Sequence, residues 1–261
     1  MSTIGPDPLP RELAPGVHWL GSCLEHPYGD RVLHGYNSVY LVSGEHSSIL
    51  VEAGFPDGLD RLEGQLAGLL AAGLPPLRYL FPTHQETPHA SGIGRLLQRH
   101  PDAVVVGDVR DYPLVFPHLA DRFRPLREGD ALDLGGTEFR FVEPVLKDLP
   151  STLWGFDTAR RVLFPGDGFA FSHYHEDGHC GRFAEEAGSI DLPDMTALFA
   201  ELALHWTTFV DMAPWLRRLD GLLDRLGVEL VAPTHGLPVT DLAATLPEIR
   251  EGLLLGSRGP A

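Results

Sequence analysis

The sequence predicts an α/β protein with two mixed sheets inside and helices outside. Two observations carry this. Short apolar runs bounded by Gly, Pro, Asn or Asp alternate with longer Leu-rich stretches of helical period, in the order strands, helix, strand, helix, strands, helices, strand, helix. Residues able to bind metal stand just past the ends of several of those strands, where α/β folds place their chemistry.

The elements follow in order. Val17 to Ser22, Ser38 to Ser43 and Ser48 to Glu52 read as strands, with Gly44-Glu45-His46 turning between the last two. Gly54-Phe55-Pro56-Asp57 is a loop, and Asp57 is a candidate cap for a helix over Leu59 to Leu70. Leu77 to Phe81 is a buried strand, Gly92 to Gln98 a helix, and Ala103 to Val106 a short buried strand. Asp108 to Leu119 is helical in pattern but broken by Pro113 and Pro117. Gly135-Gly136 joins strands Ala131 to Leu134 and Glu138 to Val142 in a hairpin. Leu153 to Phe156 and Arg161 to Phe164 form another pair, and Ser172 to Ser189 is irregular. Helices over Asp194 to Thr207 and Pro214 to Leu226, a strand over Leu230 to Ala232 and an amphipathic helix over Asp241 to Leu255 complete the chain.

The 261 residues read as one domain, 1–261, without repeats or low-complexity linkers. A net charge of −16 argues against nucleic acid and anionic membrane as partners, because both select a basic footprint. The two cysteines, Cys23 and Cys180, show no metal-binding spacing and no disulfide framework, so a reducing cytoplasm is the expected compartment. Met1 to Pro10 lacks the apolar core of a signal peptide, and no run approaches the ~18 apolar residues of a membrane helix. Of 20 basic residues, Lys147 is the one lysine, which marks it for a role that needs a compact or titratable amine.

The densest chemistry lies in Thr83-His84-Gln85-Glu86-Thr87-Pro88-His89, where His84, Glu86 and His89 follow a strand and precede a helix. A carboxylate between two imidazoles biases such a loop towards harder, redox-active iron. Asp167, in Pro165-Gly166-Asp167-Gly168, and His235, in Pro233-Thr234-His235-Gly236, also stand past strand ends, as does Lys147.

These stretches, taken in order with Leu50-Val51-Glu52-Ala53-Gly54 and Gly129 to Gly135, resemble the metallo-β-lactamase superfamily over roughly residues 16 to 240. The resemblance implies a four-layer αββα sandwich of two mixed sheets flanked by helices. Glu86, where most members have His, and His34-Gly35-Tyr36 resemble the flavodiiron and oxygen-binding di-iron branch. By that resemblance one iron takes His84, Glu86, Asp167 and a further His, the other takes His89, Asp167, His235 and a further Asp, and Asp167 bridges. The Asp expected before His89 is Pro88, and the His expected after the central hairpin aligns with Lys147.

The implied protein is a non-heme iron oxidoreductase, or an oxygen-binding protein, with two irons or one. It reacts with O2 or NO, with a small-molecule substrate, or with both. Lys147 and His34 are the candidate catalytic residues in the pocket. No flavodoxin domain is read and no bound flavin is expected, so an external electron donor, a reducing substrate or a sensory role takes its place. A homo-oligomer is compatible with the relatives. Two alternatives stand beside this: a zinc hydrolase of an ester, thioester or lactone, in which metal-bound water attacks a carbonyl, and a non-catalytic sensor on a decayed metal site. His173, His175 and His179 read as a polar loop near the pocket mouth.

Overall fold

The structure is a computed structural model that describes residues 9–174, 180–187 and 190–257. Strands β1 (Arg11–Ala14), β2 (Val17–Tyr28), β3 (Arg31–Ser43) and β4 (Ser48–Val51) are followed by helix α1 (Leu59–Ala71), strand β5 (Leu77–Phe81), helices α2 (Thr87–Ala90) and α3 (Ile93–Arg99), and strand β6 (Val104–Gly107). Helix α4 (Tyr112–Val115) leads to β7 (Phe123–Pro125), β8 (Ala131–Asp133), β9 (Glu138–Val142), β10 (Trp154–Asp157), β11 (Val162–Phe164) and β12 (His173–Tyr174). Helices α5 (Leu192–Ala203) and α6 (Ala213–Leu226), strand β13 (Leu230–Val231) and helix α7 (Leu242–Gly256) follow.

The first sheet runs β1-β2-β3-β4-β5-β6-β7, with β12 paired to β3, and the second runs β13-β11-β10-β9-β8. Both are mixed. In the first, β1 to β4 pair antiparallel and β4 to β7 parallel; in the second, only β11 and β13 pair parallel.

Strand periodicity explains the layering. On β3 and β4 the side chains alternate between two apolar clusters: Val39, Leu41 and Leu50 pack outward with α1 and α3, while Tyr40, Val42, Ile49 and Val51 pack inward. Strands buried on both faces carry continuous apolar sequence, which is why these segments are legible without a polar alternation. The inner cluster fills the space between the sheets with aromatic rings, among them Phe81, Phe139, Phe141, Trp154 and Phe164, and continues into α5, α6 and α7. Helices therefore cover the outside of both sheets, the four-layer sandwich expected. Among the described residues no helix is long and apolar enough to cross a membrane.

Helix ends follow their local chemistry. Asp241 caps α7 by accepting from the Ala244 amide at 3.0 Å, and α6 ends on Gly227 in the left-handed conformation, where a Cβ is disfavoured.

The hairpin β2–β3 runs far beyond its expected limits, with strict pairing from Val17↔Val42 out to Tyr28↔Arg31. Its outer half contains Glu25, His26 and Pro27 and has no apolar alternation, so pairing with the neighbouring strand, not local pattern, holds it extended. Strands β1, β7 and β12 are short edge or bridging strands with the same lack of local signal. The stretch Asp108 to Leu119 resolves into α4 and a 3-10 segment over Pro117–Arg122, divided near the prolines. His175 and His179 lie outside the described residues.

The strand ends converge on one edge, where backbone bonds join loops from both sheets: Leu153 N to Thr83 O at 2.9 Å, Ser38 N to Thr234 O at 2.9 Å, and Thr234 N to Gly166 O at 2.9 Å.

The sheet-to-sheet spacing has no slack at Gly155 on β10. A Cβ there would lie 2.3 Å from Phe139 Cζ and 3.1 Å from Phe81 Cε1, both rings fully buried. Gly155→Ala is expected to lower the denaturant midpoint, at a cost of about 1–3 kcal/mol for an overpacked core, with the unfolding slope unchanged; chemical denaturation followed by tryptophan fluorescence measures it.

Candidate metal centre

Each potential ligand is placed by a short, constrained turn. After β5 the chain passes Pro82 and Thr83 to His84; Glu86 immediately precedes α2, and His89 lies within that helix. The loop packs against the end of β4 so closely that a Cβ on Gly92 would stand 2.0 Å from Ala53 O. Asp167 follows β11 through Gly166, whose φ of +57° and proximity to the Thr83 side chain demand glycine. His235 follows β13, and Asp148 comes from the loop between β9 and β10.

These side chains form two adjoining half-sites. In the first, His84 Nε2 lies 3.3 Å from Asp148 Oδ2, 4.0 Å from Glu86 Oε2 and 4.0 Å from Asp167 Oδ2. In the second, Asp167 Oδ1 lies 3.4 Å from His89 Nε2 and 3.6 Å from His235 Nε2. Asp167 thus turns one oxygen to each half-site. Donor atoms about 2.1 Å from a shared ion stand no more than about 4.2 Å apart, and every one of these separations meets that limit.

The buried atoms His84 Nε2, His89 Nε2, Asp148 Oδ2 and Asp167 Oδ1 have no hydrogen-bond partner. Polar atoms out of water are normally bonded, and four such atoms facing one another from three segments, the β5–α2 stretch and the loops after β9 and β11, fit metal ions. The set contains imidazole and carboxylate and no thiolate, a donor chemistry that suits iron.

The three imidazoles are held so that Nε2 turns inward. The Thr83 hydroxyl gives its hydrogen to Glu52 Oε1 at 2.6 Å, so it accepts from His84 Nδ1 at 3.1 Å. His89 Nδ1 lies 3.2 Å from Glu52 Oε2, and His235 Nδ1 donates to the Tyr36 carbonyl at 2.6 Å. A proton held on Nδ1 of His84 and His235 leaves their Nε2 lone pairs for a metal.

Burial pushes every charged group here towards neutrality, and mutual pairing opposes it. For His89, burial lowers the imidazolium, but Glu52 and Asp167 prevail and hold it up to about 9. For Glu52 and Asp167, burial favours the acid. His89 and His84 nonetheless pull Glu52 below its ordinary range, and His235, His89 and His84 do the same for Asp167. His235 remains below the ordinary imidazole value because burial outweighs Asp167, and Glu86 is raised by burial and by Asp148.

The structure brings His84, Glu86, His89, Asp167 and His235 together. It puts Asp148, not Lys147, beside His84. Lys147 lines a neighbouring groove with Pro150 and Arg218, and its carbonyl accepts from Trp206 Nε1 at 2.7 Å. Lys147 and Asp148 are adjacent in the loop between β9 and β10, and it is the acid that faces His84. Pro88 supplies no donor side chain; its carbonyl accepts from Asn37 Nδ2 at 3.0 Å. His34 is buried beside Cys23 and His173, away from the lining of the metal cavity. Glu52, recognised in the sequence only as an acidic strand end, turns out to orient two ligands.

Three outcomes follow from this geometry. Asp148→Asn is expected to lower the bound metal and Lys147→Arg to leave it unchanged, as read by elemental mass spectrometry of purified protein. Metal uptake must displace the His89 proton, so apparent affinity rises by up to about tenfold per pH unit until about pH 9, with protons released on binding. In the metal-free protein the sign reverses. Because the folded value lies above the ordinary 6.5, the His89 contribution to stability is complete below 6.5 and is lost as pH climbs through about 9. Thermal melts of the metal-free and loaded forms across that window test both.

The sequence pattern of the metallo-beta-lactamase superfamily matches residues 33–235. Coenzyme F420H(2) oxidase of Methanothermobacter marburgensis is 26% identical over 250 residues, covering 88% of this chain and 58% of that protein. The anaerobic nitric oxide reductase flavorubredoxin of Salmonella arizonae is 22% identical over 248 residues, covering 89% and 49%. Among solved structures, rubredoxin oxygen:oxidoreductase of Desulfovibrio gigas has a TM-score of 0.74 at 17% identity, over 96% of this chain and 62% of that one. The flavodiiron protein of Giardia intestinalis has a TM-score of 0.72 at 18% identity, over 93% and 58%. The structural likeness bears on the fold, and the chain spans little more than half the length of the first of these curated relatives. Since the matched span takes in every strand-end loop that supplies a candidate ligand, the chain belongs to the metallo-beta-lactamase superfamily, with flavodiiron proteins among its relatives.

Proposed function

We propose that this chain is a domain carrying a di-iron centre and acts as an oxidoreductase on O2 or NO, with electrons delivered from outside the residues that form the centre. The observation that carries this is the pair of half-sites sharing Asp167, one built of His84, Glu86 and Asp148, the other of His89 and His235. Relatives named as an F420H(2) oxidase and a nitric oxide reductase support the same reading. Bound there, ferrous iron supplies coordination of a diatomic gas and one-electron chemistry.

The protein's own groups prepare the place. A cavity of about 640 Å³ opens over Asp167 and His235, walled by Leu198, Phe199 and Leu202 of α5 and by Leu24 and Leu33 of the long hairpin. Glu25, His26 and Asp57 also line this cavity, so its apolar side is the α5 wall. Phe199 stands over the His235 ring at a centroid distance of 5.3 Å. Pro88, lining the same cavity, leaves the His89–His235 side with two imidazoles and one carboxylate, the arrangement that keeps positions open on ferrous iron. Glu86 and Asp148 add carboxylates on the other side, which weighs against a zinc hydrolase.

Protein prepared without oxygen is expected to hold two irons per chain by elemental mass spectrometry. With a chemical reductant it is expected to consume O2 or NO at an electrode. Zinc in place of iron, with turnover of esters or lactones, would overturn the proposal in favour of a hydrolase. No metal after iron reconstitution would leave a binding protein.

A further inference from the structure

We propose that Cys23, His34, His173 and Cys180 form a second metal site, a structural zinc site, independent of the function assigned to the di-iron centre. The four residues come from β2, β3, β12 and the loop after β12, and their ligand atoms all lie within 4.8 Å of one another. Strand pairing assembles them. Cys23 pairs with Tyr36 and Glu25 with His34, so Cys23 and His34 are diagonal neighbours on one face of the hairpin. His173 pairs directly with His34 from the other side, and Cys180 closes the group.

The separations suit a tetrahedral ion. Cys23 Sγ lies 3.1 Å from His34 Nδ1 and 4.0 Å from His173 Nε2; Cys180 Sγ lies 3.9 Å and 3.8 Å from the same two atoms. With Zn–S near 2.3 Å and Zn–N near 2.05 Å, a tetrahedron sets each S···N edge at about 3.5 Å, within the range of the four observed values. His34 and His173 are 4% and 0% exposed, and both cysteines are half-buried. Two sulfurs and two imidazoles with no carboxylate make a soft donor set, opposite in character to the carboxylate-rich centre nearby. The two sites therefore sort their metals by donor chemistry. Four protein ligands leave no open position, which is the mark of a structural site.

Its place gives it a task. The Tyr36 ring stacks on His173 at 5.6 Å, the Tyr36 hydroxyl accepts from the Gly181 amide, and the Tyr36 carbonyl holds His235 Nδ1. Zinc would lock the long hairpin, one wall of the cavity, to the loop beginning at Cys180, and would steady the carbonyl that orients a ligand of the di-iron centre.

The test uses the full chain. Wild-type protein loaded with zinc and iron is expected to hold one zinc whose X-ray absorption shows two sulfur and two nitrogen neighbours. Cobalt in its place is expected to show thiolate-to-cobalt charge-transfer absorption. Cys23→Ser and Cys180→Ser are each expected to abolish that band, with iron content retained. Because the wild-type spectra stand alone, a variant that fails to fold does not remove the test. A zinc shell of only nitrogen and oxygen, equal zinc in wild type and variants, or a Cys23–Cys180 disulfide found by mass spectrometry in protein prepared with zinc would each overturn the proposal.

Discussion

The metal edge depends on one buried carboxylate. Glu52 follows β4 with a φ of +69°, a conformation that costs a non-glycine residue energy and persists only where its surroundings enforce it. It accepts from the Thr83 amide at 3.1 Å, the Thr83 hydroxyl at 2.6 Å and the Thr234 hydroxyl at 2.9 Å, and it faces His89 at 3.2 Å. One charged group thereby joins the end of β4 to the loops that follow β5 and β13. Removing one partner from a buried ionic set costs about 3–5 kcal/mol, because the remaining charge is left uncompensated. The orientation of His84 and His89 and the docking of the His235 loop thus rest on the same ionised side chain.

That carboxylate also sets the charge balance. Asp167, Asp148 and Glu86 crowd negative charge around His84, while Glu52 adds another behind His89. Without metal, the imidazolium of His89 offsets part of this; with metal, the ions replace the proton. Folding and metal binding are coupled through the same atoms, so the site favours cations at neutral pH and resists leaving the carboxylates unpaired.

The two clusters share a wall but not a chemistry. The carboxylate-rich centre lies where strand ends from both sheets meet, while the cysteine–histidine cluster is built within the first sheet and the loop packed on it. Tyr36 links them, with its ring on His173 and its carbonyl on His235. Loosening the hairpin would therefore be felt both by the cavity wall and by one ligand.

Much of this was legible in the sequence because it is local. Residues Leu77 to Phe81 announce a buried strand by composition, and His84, Glu86 and His89 follow it within a single tight loop. Asp167 and His235 are each fixed by a short turn directly after a strand. These features depend on periodicity and turn chemistry, which act over a few residues. What only the tertiary structure decided depends on pairing between distant segments. Asp148 rather than Lys147 reaches His84 because the loop between β9 and β10 has no periodicity to set its register, and the choice is made where Leu153 bonds to Thr83. Glu52 gains its role only when Thr83, Thr234 and His89 close around it. Cys23, His34, His173 and Cys180 show no ligand spacing along the chain; the register of β2, β3 and β12 brings the first three together and Cys180 joins them from outside the strands, because strand displacement is set by non-local hydrogen bonding that no single segment encodes.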